Sequence, residues 1–416
     1  MARKMRDSGV EWIGEVPEGW KFFRAKRLFK KEQRPIRPED EIVTAFRDGE
    51  VTLRKNRRLT GFTEATDYSH YQGIRKGDLV IHQMDAFAGC VGISDSDGMG
   101  SPILSVCTAK TDRVCIRYYS AIIRMMGLTG YISSLARGVR ERSADFRFET
   151  FAKEYLPVPP LSEQRRIADY LDEKCAAIDG AVDELKRGIE DCKAWKKAII
   201  FEAVTGKANV LAAKNAKVAK RQMRDSGIPW IGEIPEGWEV KRLRFIADIT
   251  TGNKDTQDAN PDGAYPFYVR SPIVERSADY TFDGLGIMMA GDGAGAGRIF
   301  HLADGKYAVH QRVYRIFNFK NIGAPFLWRY LMATFPFEMD KGSAQSTVPS
   351  VRLPMLLNHC IMFPSLPKQR AIADYLDEKC AAIDALVAEK EKLIADLEAY
   401  KKSLIFELVT GKREVA

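Results

Sequence analysis

Ile167-Ala168-Asp169-Tyr170-Leu171-Asp172-Glu173-Lys174-Cys175-Ala176-Ala177-Ile178-Asp179, IADYLDEKCAAID, stands unchanged a second time at Ile372 to Asp384, 205 positions later. The likeness runs on more loosely to Thr205-Gly206-Lys207 in the first copy and Thr410-Gly411-Lys412 in the second. In the first copy, apolar or small residues fall at Leu171, Cys175, Ile178, Val182, Leu185, Ile189, Cys192 and Ile199, the three–four alternation of a helix stripe. The second copy gives Leu376, Cys380, Ile383, Val387, Ile394, Leu397 and Leu404, and Glu, Lys and Asp fill the positions between. Pro159-Pro160 closes what precedes, Ser162 with Glu163 suits a helix start, and Gly206 and Gly411 suit helix ends. The pattern predicts one helix from Ser162 to about Ala203 and a twin in the second copy, each about 60 Å long at 1.5 Å per residue. A helix of that length cannot bury its stripe alone. The matching stripe in the same chain predicts an antiparallel coiled coil about a pseudo-twofold axis, and pairing with other chains is the alternative. Gly180 and Gly188 weaken the first helix where the second has Ala385 and Leu393.

Outward from this segment lies a second repeat. Met5 to Trp20, MRDSGVEWIGEVPEGW, recurs as Met223 to Trp238, MRDSGIPWIGEIPEGW, with three of sixteen positions changed. This repeat is offset by 218 residues and the helical one by 205, so the block between them is 13 residues shorter in the second half. Those blocks, roughly 21–160 and 239–365, show little resemblance to each other. A duplicated scaffold with diverged inserts implies one mechanical task performed twice and two different specificities.

The charge follows the same division. The 416 residues carry a net +8, with 45% hydrophobic and 29% charged residues, ordinary for a globular protein. Residues 1–161 hold 27 Lys and Arg against 21 Asp and Glu, and residues 208–366 hold 19 against 15. The helical segments 162–207 and 367–412 each come to −1. Two basic blocks on near-neutral spacers fit two nucleic-acid-binding modules, and equally two ordinary basic domains. No secretory signal and no apolar run of membrane-spanning length is visible. Seven scattered cysteines without a Cys-x-x-Cys pair point to reduced thiols and a cytoplasmic setting.

The blocks mix short strand-like runs, Asp78–Ile81, Gly92-Ile93, Ile103–Val106 and Ile287–Ala290, with turns, and read as α+β. Their candidate DNA-contact residues cluster. The first block has Arg54, Lys55, Arg57 and Arg58, then Tyr68, His70 and Tyr71, then Arg137, Arg140 and Arg142; Arg147 follows. The second has Arg270 and Ser271, Arg276, and the polar run Lys341, Gln345, Ser346 and Thr347. Such side chains read base edges or hold phosphates, although a solvated surface would carry the same types. Gly291–Gly297 fails as a phosphate loop, since no Gly-Lys-Ser/Thr follows, and reads as a hairpin tip. Catalytic machinery is missing: no Asn-Pro-Pro-Tyr or Asp-Pro-Pro-Tyr, no ATP loop, and no nucleophile–base pair at recognisable spacing. Asp172-Glu173-Lys174, repeated at Asp377-Glu378-Lys379, reads as solvent-face helix charge rather than as a nuclease motif.

Asp7-Ser8-Gly9 to Trp20, present twice, resembles the start of specificity subunits of type I restriction–modification enzymes. So do Pro157-Val158-Pro159-Pro160-Leu161-Ser162-Glu163-Gln164-Arg165, Gly77–Ile81, Asp97-Gly98 and Ser101-Pro102, and the likeness covers essentially the whole chain. Lys368, where the family has Glu, departs from the pattern. The resemblance implies an α+β fold with two globular target recognition domains, 1–157 and 211–362, separated by antiparallel coiled-coil helices at 158–210 and 363–416. It implies double-stranded DNA as ligand, each domain reading half of a split, asymmetric site. It implies two modification subunits and restriction subunits as partners and no membrane. S-adenosylmethionine, ATP and Mg would be bound by those partners, with no cofactor and no catalysis in this chain. Leu171, Ile178, Val182, Leu376, Ile383 and Val387 are the expected partner-binding positions on the helices. A coiled-coil adaptor that never touches DNA is the competing reading.

Overall fold

The computed structural model describes residues 3–57, 60, 67–135, 146–210, 222–342 and 349–415. They fall into two compact units, one of Met1–Leu185 with Lys392–Ala416, the other of Lys186–Glu391.

In the first unit the leading motif is an antiparallel pair, β1 (Met5–Asp7) and β2 (Glu15–Pro17), followed by β3 (Lys21–Arg24) and the short helix α1 (Ala25–Leu28). The central sheet runs β4 (Phe29–Lys31), β11 (Leu104–Ala109), β8 (Leu79–His82), β9 (Val91–Ile93), with every neighbour antiparallel. Against it lie the hairpin β5 (Val43–Ala45) with β6 (Val51–Leu53) and the pair β7 (Gln72–Ile74) with β10 (Gly98–Gly100). Helices α2 (Ile116–Leu128), α3 (Tyr131–Leu135) and α4 (Phe148–Phe151) follow. Then β12 (Tyr155–Val158) pairs back on β3 and leads into α5 (Leu161–Val204). β8 reads as an unbroken apolar run because both faces are covered. Leu79 and Ile81 join Tyr118, Tyr119 and Ile122 of α2, while Val80 faces Val43, Val51 and Ile74.

The second unit repeats this layout. β13 (Met223–Asp225) and β14 (Glu233–Pro235) form the leading pair, and β15 (Glu239–Arg242) pairs with β24 (Cys360–Phe363). The main sheet runs β16 (Asp248–Thr251), β23 (Val313–Phe317), β20 (Gly286–Ala290), β21 (Phe300–Ala303). A second sheet runs β18 (Glu275–Ser277), β17 (Tyr265–Tyr268), β22 (Lys306–Val309), β19 (Phe282–Asp283). Helices α6 (Ala324–Gly342), α7 (Leu353–Asn358) and α8 (Leu366–Val409) complete it. Strand for strand, β4 to β11 correspond to β16 to β23. The correspondence extends to the parallel neighbours β17 and β22, which the first unit matches with the parallel bridge from Ile42 to Met99. The two variable blocks share a topology that their sequences conceal.

α5 and α8 are each 44 residues, about 66 Å, slightly beyond the predicted span. Within the first unit they run antiparallel. Lys401 binds Asp179 at 2.6 Å, and Leu171, Ile178 and Val182 are buried with Leu404, Ile405, Leu408 and Val409. The second unit holds the same pair with the roles exchanged: Lys196 binds Asp384 at 2.6 Å, and Ala203 and Val204 are buried with Ile372 and Leu376. The helix ends are fixed identically. Gly206 and Gly411 both take φ +74°, the left-handed region. A Cβ there would lie 2.6 Å from Pro235 and from Pro17 respectively, so each helix end rests on a leading motif.

One expectation changes. Leu171, Ile178, Val182, Leu376 and Ile383 are buried and Val387 is half-buried; Leu171, Ile178 and Val182 belong to the first unit's core and Leu376 to the second's. The five buried side chains leave little surface for a partner, whereas Val387 keeps part of its own. On the exposed faces stand Trp195, Leu386, Leu393 and Tyr400.

Candidate nucleic-acid interface

Strand directions gather loops at one end of each head. In the second unit, β20 is antiparallel to β23 with Ala290 opposite Val313, and β16 places Thr251 opposite Tyr314. β17 lies parallel to β22, with Tyr268 beside Val309. The C-terminal ends of β16, β17, β20 and β22 and the start of β23 therefore converge. A cleft of about 450 Å3 opens there, lined by Thr256, Arg270, Ser271, Glu275, Asp292 and the glycine-rich turn. That turn joins β20 to β21, as the hairpin reading expects.

Asp292 organises the cleft. Its Oδ1 accepts from Arg270 Nη1 at 2.8 Å and its Oδ2 from Arg312 Nη1 at 2.7 Å. Burial opposes ionisation of Asp292, but the hydrogen bonds from both arginines prevail and hold its carboxyl below the ordinary value. Arg312 N donates to Nδ1 of the buried His310 at 3.0 Å. Burial first, then the charge of Arg270, keep that imidazole below its usual range. Gln311 Nε2 donates to Asp255 at 2.6 Å, and His301 Nε2 lies 3.0 Å from Ser271 O. Arg276 is committed elsewhere, donating to Gly263 O at 2.9 Å and Ala264 O at 3.0 Å. Lys341 is in the last turn of α6, its side chain outside the described residues, as are Gln345, Ser346 and Thr347.

The first unit has its cleft, about 390 Å3, at the matching end, lined by Lys31, Gln33, Arg34, His70, Tyr71 and Pro102. Asp67 accepts from Ser69 N at 2.8 Å and Ser69 Oγ at 2.7 Å, fixing the turn that presents His70. Tyr68 and Tyr71 meet edge to face at 5.0 Å. Arg34 is gripped by both carboxylate oxygens of Asp78, which raises its basicity further. The predicted residues thus divide. Tyr68, His70 and Tyr71 belong to this end of the head. Lys55 pairs with Glu41, and Arg57 with Asp48 at 2.6 Å and Glu50 at 2.7 Å while stacking on Phe46. A phosphate reaching Lys55 or Arg57 would compete with those acids. Arg54 opens the same 3-10 turn, among Arg54–Asn56, and is half-buried. Arg58, Arg137, Arg140 and Arg142 lie outside the described residues.

Sequence reasoning missed Lys31, Gln33 and Arg34, which belong to the polar run Lys30–Arg34, and Asp292 and Arg312, which are single charged residues at strand ends. Only the Gly291–Gly297 run flagged any of them, by marking a tight turn. Among the described residues there is no cluster of His, Cys, Asp and Glu able to hold a metal, and no helix is long and apolar enough to cross a membrane.

A family model described as the type I restriction modification DNA specificity domain matches residues 235–396. The type I restriction enzyme MjaVIII specificity subunit of Methanocaldococcus jannaschii is 28% identical over 288 residues, covering 62% of this chain and 62% of its own length. The EcoDI specificity subunit of Escherichia coli is 25% identical over 181 residues, covering 44% and 40%. The chain thus spans less than two thirds of each of these two relatives. A chain in a solved structure described as the structural basis of complex assembly and conformational transition of the type I R-M system superposes with a TM-score of 0.72 at 16% identity. The match covers 96% of this chain and 99% of that one, and it establishes the fold.

Proposed function

We propose that this chain is a specificity subunit of the type I restriction–modification kind, which reads a bipartite, asymmetric DNA site and directs partner enzymes to it. Residues 1–157 and 211–362 act as target recognition domains, and 158–210 and 363–416 as helical spacers. One observation carries this assignment: two heads of identical topology present differently furnished clefts at the same strand ends, on duplicated helices. A shared scaffold with different side chains at the working end is what reading two unlike half-sites requires.

The chain contributes positioning and no chemistry. Two modification subunits dock on the outward helix faces near Trp195 and Tyr400, supply S-adenosylmethionine, and methylate adenine. Restriction subunits add ATP- and Mg-dependent translocation and cleavage. The test is to co-express the chain with its modification partner and map methylated adenines by sequencing. One split motif with two unrelated halves is the expected result. Binding of the complex to duplex DNA should weaken steeply and linearly in log affinity against log salt. A complex that marks no defined sequence, or whose binding ignores salt, overturns the assignment.

A further inference from the structure

From the cleft of the second head we infer that Arg312 and Arg270, clamped together by Asp292, form a guanine-reading pair that sets one half-site. The inference rests on the DNA-reading role proposed above and adds the residues and the base.

Three features distinguish these arginines from surface charge. First, Asp292 is nearly covered, with 15% of its side chain exposed, whereas Arg270 and Arg312 expose 42% and 63%. One inward carboxylate holds two outward guanidiniums. Second, each arginine gives Asp292 only Nη1, so its remaining donors have no partner among the described residues. A guanidinium anchored on one nitrogen keeps a planar fork free, and guanine offers O6 and N7 in the major groove as the matching acceptors. Third, Arg312 is held at its backbone as well. Its N–H donates to His310 Nδ1 at 3.0 Å and its carbonyl accepts from Gly291 N at 2.9 Å. A Cβ on Gly291 would lie 2.7 Å from that carbonyl, so the close approach requires glycine. Fixing both ends of a flexible side chain before binding removes most of the ordering cost.

The clamp also argues against a simple phosphate contact. A phosphodiester meeting Arg312 would sit close to the Asp292 carboxylate and be repelled by it, while the neutral edge of a base would not. The first head supplies the contrast. Gln83 N donates to Ile103 O at 2.9 Å, as Gly291 N does to Arg312 O, and Leu104 lies opposite His82 as Val313 lies opposite Ala290. Ile103 therefore occupies the position of Arg312, and Met84 that of Asp292, both exposed and apolar. The same place in the two heads carries opposite chemistry, as a specificity-determining position should.

The experiment uses the full complex with its modification subunits, on a plasmid library with both half-sites randomised, read by methylation mapping. The unaltered complex should show a guanine in the half-site that responds to the second head. Arg312→Ala should cut the preference for that guanine roughly 10- to 100-fold and leave the other half-site unchanged. Arg312→Lys should lose most of the preference while keeping the charge. Asp292→Asn should weaken the preference and strengthen salt-sensitive binding to unrelated DNA, because a negative charge leaves the interface. Uniform weakening at every sequence in Arg312→Ala, a guanine preference untouched by it, or half-sites without guanine would each overturn the inference while leaving the DNA-reading role standing. An unaltered complex with no sequence preference would overturn both.

Discussion

Replacing Gln164 with Leu tests how each head is locked to its helix. Gln164 is fully buried at the start of α5. Its Oε1 accepts from Cys115 N at 2.9 Å, and its Nε2 donates to Pro159 O at 2.9 Å and Arg113 O at 3.2 Å. Leu has similar volume and fills the space, so cavity formation adds little. What remains is a buried amide and two carbonyls stripped of their partner. A buried donor left unsatisfied costs about 1–3 kcal/mol, and a carbonyl with a second lone pair to use costs less, so the sum is about 2–4 kcal/mol. Amide hydrogen exchange reads this directly, since about 2 kcal/mol corresponds to roughly 30-fold faster exchange. The loss should appear at Cys115 and the first turn of α2. Gln369 makes the same three bonds in the second unit, accepting from Gly323 N at 2.7 Å and donating to Pro364 O at 2.8 Å and Asn321 O at 3.3 Å. Gln369→Leu should produce an equal loss at Gly323. Exchange at Cys115 within threefold of the unaltered protein would refute the reasoning, because it would mean these bonds are replaced by water at no cost.

Gly411→Ala forces a side chain into φ +74° and its Cβ to 2.6 Å from Pro17, and should cost about 2–4 kcal/mol in thermal unfolding; Gly206→Ala, against Pro235, should cost about the same. Trp195→Ser and Tyr400→Ser remove exposed aromatics from the helices, and should leave the melting temperature unchanged while weakening co-purification with modification subunits by tenfold or more. His310 has a depressed folded value, so as pH falls through its ordinary 6.5 the unfolded chain takes up the proton first and stability declines. Melting curves from pH 7.5 to 5.5 should show that slope, reduced in His310→Gln; a steeper slope in the variant would contradict it.

The helices were legible because an exact repeat and a regular apolar stripe are one-dimensional signals, and neither depends on distant contacts. Their pairing was legible for the same reason, down to which stripe would be buried. What the stripe could not disclose is that Leu171, Ile178 and Val182 share one core with the side chains of the first head. The heads were harder. β8 and β20 read as strands, yet the shared order β4-β11-β8-β9 and β16-β23-β20-β21 depends on crossovers between segments far apart in sequence. Crowded charge is a weak guide to a cleft for a physical reason. Lys55 and Arg57 are dense in sequence because neighbouring acids neutralise them, whereas Arg270 and Arg312, 42 positions apart in the numbering, meet only when three strand ends converge on Asp292. A cation that local acids have already claimed exerts little pull on a polyanion. Recognition in such a protein should therefore be sought where isolated residues from separate strands share one buried counter-charge, not where basic letters are most crowded.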